Sequence, residues 1–87
     1  MPYIQKEERG KWDETLSKIK ELIKDIPEDK LEGELNYLIS KLLKETYKPS
    51  YHNYNKAVGL LECIKQEFYR MQVSPYEDKK KEENGDI

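Results

Sequence analysis

Cysteine occurs once, at Cys63, which excludes a disulfide framework and any zinc site built from several thiolates. A lone thiol fits a reducing compartment, and a cytoplasmic location is expected. Histidine also occurs once, at His52, so no metal site of recognisable His spacing can be written. Glycine and proline number four each, and neither phosphate-cradling glycine motif, G-x-x-x-x-G-K-[ST] or G-x-G-x-x-G, is present. No stretch approaches the ~18 consecutive apolar residues of a membrane span. The opening residues Met1-Pro2-Tyr3-Ile4 lack the basic and then apolar pattern of a secretory signal. Arginine is found only at Arg9 and Arg70, and 16 basic residues oppose 18 acidic ones for a net charge of -2. A duplex-binding domain needs a one-sided basic surface to displace counterions from phosphates, so duplex nucleic acid is not an expected partner. Lys and Glu instead alternate within single turns, as in Lys18-Ile19-Lys20-Glu21, the pattern of a solvated helix surface.

What is present is a lean hydrophobic complement. Leu, Ile, Val and Phe make up 19 of 87 residues, and charged residues outnumber hydrophobic ones, 39% against 36%. The mean hydropathy is -1.06. A chain of this length supports one small domain, residues 1–87, whose core burial barely offsets chain entropy. Self-association is a common remedy, so a homo-oligomer is expected.

Three apolar stripes have helical period, and no strand-like alternation occurs. Residues 1–12 form an ambiguous lead-in. Trp12, Leu16, Ile19, Ile23 and Ile26 recur at spacings of 4, 3, 4 and 3, with Asp13 as helix cap and Pro27 as terminator. Leu31, Leu35, Leu38 and Leu42, widened by Ile39 and Leu43, predict a second helix over 31–47, with Gly33 marking a turn or a close approach near its start. Lys48-Pro49-Ser50 then leads to a third helix over 51–73, capped by Ser50. Its main apolar face is Tyr54, Ala57, Val58, Leu61, Ile64, Phe68 and Met71. Gly59, Cys63, Gln66 and Arg70 fall together on the far side, with Lys56 adjacent. That side is either a solvated face with a tolerated glycine or a second packing surface for the N-terminal segment or another subunit. Ser74-Pro75-Tyr76-Glu77 reads as a capping box opening a short helix over 75–83, with Asn84-Gly85 as the stop. The polar segment 74–87 is otherwise a charged tail.

The expected fold is therefore all-α: a small antiparallel bundle of three main helices (core 13–73) plus a short C-terminal helix, oligomeric in state.

Seven tyrosines against one phenylalanine suit half-buried and interfacial positions, where a ring is covered and its hydroxyl finds a partner. Tyr51, His52, Asn53 and Tyr54, with Asn55, form a polar-aromatic cluster at the start of the third helix. Tyr69, Arg70 and Tyr76 form another at its other end. At a subunit interface these residues could stack on a small anionic nucleotide and contact its phosphate; the plainer reading is interfacial tyrosines facing a protein. Lys56, Gly59, Cys63, Gln66 and Arg70 are the candidate interface residues. No catalytic residue, metal site or cofactor is assigned. An all-α magnesium-dependent nucleotide pyrophosphohydrolase using Glu34 and Glu62 is the competing enzymatic reading. It lacks the paired i, i+3 acids on facing helices that octahedral magnesium asks for. A minor structural or assembly protein is a third.

Several strings together resemble a short uncharacterised family. They are Met1-Pro2-Tyr3-Ile4, Gly33-Glu34-Leu35-Asn36-Tyr37, Gly59-Leu60-Leu61-Glu62-Cys63, Glu67-Phe68-Tyr69-Arg70, Pro75-Tyr76-Glu77-Asp78-Lys79 and Glu83-Asn84-Gly85-Asp86. The family is a domain of unknown function found in phage and prokaryotic genomes. The resemblance implies a small accessory protein, in the host cytoplasm if phage-encoded, that binds a host protein or sequesters a nucleotide signal. It carries no catalytic residues to transfer.

Overall fold

A computed structural model describes residues 3–87; Met1 and Pro2 of the expected lead-in lie outside the described residues. The fold is all-helical, with no strand among those residues. Two compact units divide the chain, Met1–Thr46 and Tyr47–Ile87.

The first unit is a helical hairpin. α1 (Lys6–Arg9) passes through a 3-10 turn (Gly10–Trp12) directly into α2 (Asp13–Ile23). Residues 6–12 of the lead-in are thus helical, and this corrects the expected cap at Asp13. Its backbone is already helical (φ -58°, ψ -46°) and its N–H donates to the Gly10 carbonyl, so no free helix start exists there to be capped. α2 stops before Pro27, as the missing N–H of proline demands. The Lys24 and Ile26 N–H groups close the corner on the carbonyls of Lys20 and Ile23, each at 3.0 Å.

α3 (Glu28–Thr46) begins three residues earlier than the leucine spacing indicates. Proline costs nothing immediately before a first turn whose N–H groups lack partners, and Glu28 and Asp29 there favour the positive end of the helix dipole. Gly33 lies inside this helix. A β-carbon there would meet nothing within 4 Å, so the expected turn or close approach is absent. The four-residue corner makes α2 and α3 antiparallel neighbours.

The second unit is one composite helix. α4 (Tyr51–Phe68) runs through a π turn (Tyr69–Val73) into α5 (Ser74–Asn84). Ser50 caps its start in extended geometry (φ -172°, ψ 155°), its Oγ accepting the Asn53 N–H at 3.0 Å. The Asn53 side chain donates to the Lys48 carbonyl at 2.9 Å, tying down the approach. The capping box expected at Ser74 does not form, because Ser74 is itself helical (φ -61°, ψ -46°). The reason is Pro75. Its ring would collide with the carbonyl four residues back in a regular helix, and it has no N–H to offer. A wider turn, in which the Ser74 N–H reaches the Tyr69 carbonyl five residues back, lets the helix continue past it. Gly85 ends α5 as expected. Its φ of 87° favours glycine, and its N–H donates to Lys81 O at 2.8 Å.

The three stripes are covered only in part. Among the described residues Ala57 alone is buried, at 9% exposure. Ile19, Ile23, Ile26, Leu31, Leu35 and Leu43 are half-buried. On α4 the half-buried positions are Asn53, Leu60, Cys63 and Glu67, whereas Tyr54, Val58, Leu61, Ile64 and Phe68 of the expected core face are exposed.

Candidate functional site

An apolar groove lies in the first unit. Near Pro27, Ile23, Ile26, Leu31 and Leu35 are half-buried. Towards the hairpin's other end the side chains of α2 and α3 stand apart around this groove of about 610 Å³. Trp12, Leu16 and Ile19 line one wall, Leu38, Ile39 and Leu42 the other, and Ile4 lies in the lining as well. These are the same residues that the helical spacing selects, so the groove is the unfilled end of the hairpin's own apolar seam. Polar groups are confined to Arg9, Asp13 and Thr15. Arg9 Nε donates to the Ile4 carbonyl at 3.2 Å and fixes the entering chain across α1. Leu42 is 63% exposed, unusual for a leucine on a helix's apolar face.

The tyrosine clusters lie in the second unit. Tyr51 is 90% exposed, His52 and Tyr54 are exposed, and Asn53 is half-buried with both its bonds spent on the cap. Tyr69 and Arg70 sit at the π turn and border a shallow hollow with Lys65, Gln66, Glu67 and Ser74. Tyr76 borders a different hollow near the C-terminal end, with Lys80 Nζ 5.6 Å from its ring centre. Carboxylates already engage the donors of this region. Tyr69 donates its hydroxyl to Glu77 at 2.9 Å, and Arg70 pairs with Glu67 at 2.8 Å. The Glu77 carboxylate, by its hydrogen bond and then its charge, raises the Tyr69 phenol above its ordinary value. Tyr51 and Tyr69 are 18 positions apart on one composite helix, roughly 27 Å at 1.5 Å per residue. Within one copy the two clusters therefore cannot share a small ligand.

Of the candidate interface residues, Lys56, Gly59, Gln66 and Arg70 are exposed and Cys63 is half-buried. A β-carbon on Gly59 would meet nothing within 4 Å.

The carboxylates of the enzymatic reading belong to different units, Glu34 on α3 and Glu62 on α4. Glu62 accepts from Gln66 at 3.1 Å and pairs with Lys65 at 3.2 Å; those two partners hold its carboxyl below the ordinary value. Among the described residues no group of three His, Cys, Asp or Glu side chains is gathered as metal ligands would be.

The groove was not singled out as a site from sequence. Its signal was the widening of the second stripe by Ile39 together with the isolated Ile4 in the lead-in, and only the helical course of residues 6–12 brings them to one place.

The family model of a domain of unknown function, DUF6899, matches residues 1–87. The chain belongs to the DUF6899 family. A domain of unknown function is what the string resemblance implies. No curated protein and no solved structure matches the DUF6899 chain. None of its helices, among the described residues, is long and apolar enough to cross a membrane.

Proposed function

We propose that this DUF6899 chain is a non-catalytic binding protein of the cytoplasm whose recognition surface is the groove between α2 and α3, and that its ligand is a protein segment presenting an apolar helical face. One observation carries the reading: a hollow of about 610 Å³ lined almost wholly by exposed Trp, Leu and Ile side chains. Small-molecule sites need a few convergent polar groups to orient their ligand. A groove that offers hydrocarbon along two helix walls suits the apolar stripe of another helix, read at i, i+3/i+4 and i+7. The phage and prokaryotic setting implied by the resemblance makes that segment part of a host protein, and the chain an accessory protein.

The test is selection of helical peptides from a display library against the full-length protein. Binders should share apolar residues at helical spacing and lose at least about tenfold in affinity for the Leu42→Asp variant, since burying an unpaired carboxylate costs several kcal/mol. Binders of no common pattern, or indifferent to that substitution, would sink the proposal. A nucleotide ligand would instead appear as a thermal shift with cyclic dinucleotides or ADP-ribose derivatives, lost in Arg70→Ala. A hydrolase would release pyrophosphate from nucleoside triphosphates with magnesium, and Glu62→Gln would stop it.

A further inference from the structure

We infer that the helix received by the groove carries one acidic and one basic residue a single turn apart beside its apolar stripe, the acid seated against Arg9 and the base against Asp13. This rests on the groove reading and adds to it the polar chemistry of the ligand.

Arg9 and Asp13 are the two charged residues of a lining that is otherwise hydrocarbon apart from Thr15. They lie four positions apart, about one helical turn. On a regular α-helix that spacing lets opposite charges pair with each other. Here the 3-10 turn Gly10–Trp12 stands between them, and its tighter winding carries residues four apart farther around the axis. The two do not pair. Arg9 Nε donates to the Ile4 carbonyl at 3.2 Å, and Asp13 has no ion-pair partner among the described residues. Four of the five guanidinium N–H groups are therefore left to an incoming ligand, as is the whole Asp13 carboxylate.

Both side chains are exposed, so water solvates them in the free chain. A ligand that covers the groove displaces part of that water, and a charge left with neither water nor a partner opposes binding. The occupant must therefore answer both signs as well as the hydrocarbon. A bare hydrocarbon tail answers neither charge. A fatty acid has one negative end, which suits Arg9 and leaves Asp13 alone. A helix offers residues of both signs at i and i+4, directly beside an apolar stripe, and so meets all three demands. Their order follows the direction of binding. The acid comes first if the bound helix runs parallel to α2, and the base comes first if it runs antiparallel.

The experiment uses the full-length protein and a display library of helical peptides with Leu fixed at i, i+4 and i+7 and the flanking positions random. Enriched peptides should carry an acid and a base four residues apart on one flank. An enriched peptide, made synthetically, should bind the double variant Arg9→Asp, Asp13→Arg about tenfold more weakly, since two attractions become two repulsions. Exchanging the acid and the base within the peptide should restore affinity for the double variant and weaken binding to the wild type. That rescue separates charge pairing from any shift of Ile4 caused by losing the Arg9 bond, which an exchanged peptide would not repair. If circular dichroism shows the double variant to have lost helix, Asp13→Lys decides alone. It keeps the Arg9 bond, should weaken the peptide, and should be rescued when the peptide's base is changed to Glu. Flanks of random charge, or an exchange that rescues nothing, overturn the inference; if Leu42→Asp still abolishes binding, the groove reading stands without it. Peptides that bind Leu42→Asp as tightly as the wild type overturn both.

Discussion

Gly33 sits in the interior of α3 with open space where a β-carbon would stand. Nothing in its surroundings requires a missing side chain, and its backbone is ordinary helix. Gly33→Ala should therefore stabilise the protein by about 1 kcal/mol, the usual helix-interior difference, visible as a higher melting temperature with unchanged binding. The sequence suggested the opposite, because a lone glycine near a helix start resembles a turn. Only the earlier start of α3, allowed by Pro27, puts the residue safely inside. Ser50 shows the converse case. A serine after Lys-Pro and before a polar-aromatic run is a cap signal with a local mechanism, and the structure contains that cap. Tyr69 is a third case at this scale. Its raised phenol holds its proton above the ordinary phenol range. The hydrogen bond to Glu77 thus contributes below the ordinary phenol range and is lost as pH rises through the raised value. For Glu62 the sign reverses: its lowered carboxyl contributes above the ordinary carboxylate range and is lost as pH falls through the lowered value.

At the scale of the element, the π turn decides which side chains meet. Residues eight apart on a regular α-helix differ by about 80° around the axis. Tyr69 and Glu77 are eight apart, and the wide turn absorbs roughly one residue, so the two fall nearly in line and bond at 2.9 Å. Pro75→Ala removes the clash that maintains that turn. The segment should relax to regular helix, the hydrogen bond should break, and the tyrosine titrating last in an ultraviolet pH series should return to the common range. The Glu77→Gln variant should give the same spectroscopic result with the turn intact. Tyr69 titrating with the others in the wild type would show that the pairing is absent. None of this was legible beforehand. Ser-Pro-x-Glu is a sound start signal for an isolated helix, but it carries no information on whether a preceding helix will continue through it. By contrast the stripes from Trp12, Leu31 and Tyr54 gave the helices themselves, because periodicity integrates over many residues and boundaries rest on one or two.

At the scale of the molecule, the all-helical fold follows from those stripes, and the groove follows from how incompletely they are covered. The spacing rule identified the right residues but not their fate. Leu16 and Leu42 satisfy it as well as Ile23 and Leu35 do, yet the first pair borders an open hollow while the second is half-buried. Which residues of a seam are covered is a property of the assembled hairpin and not of any window of sequence.

That Ala57 alone is buried among the described residues has a consequence for how the chain endures in time. Backbone amides resist deuterium in proportion to the cost of opening the structure around them, and opening here disrupts little more than helical turns. Exchange in the free chain should be rapid along all of α2 to α5, and proteases should cut it readily. A partner that fills the groove would slow both, first at the residues it touches, so the pattern of slowed amides would chart the surface where the chain does its work.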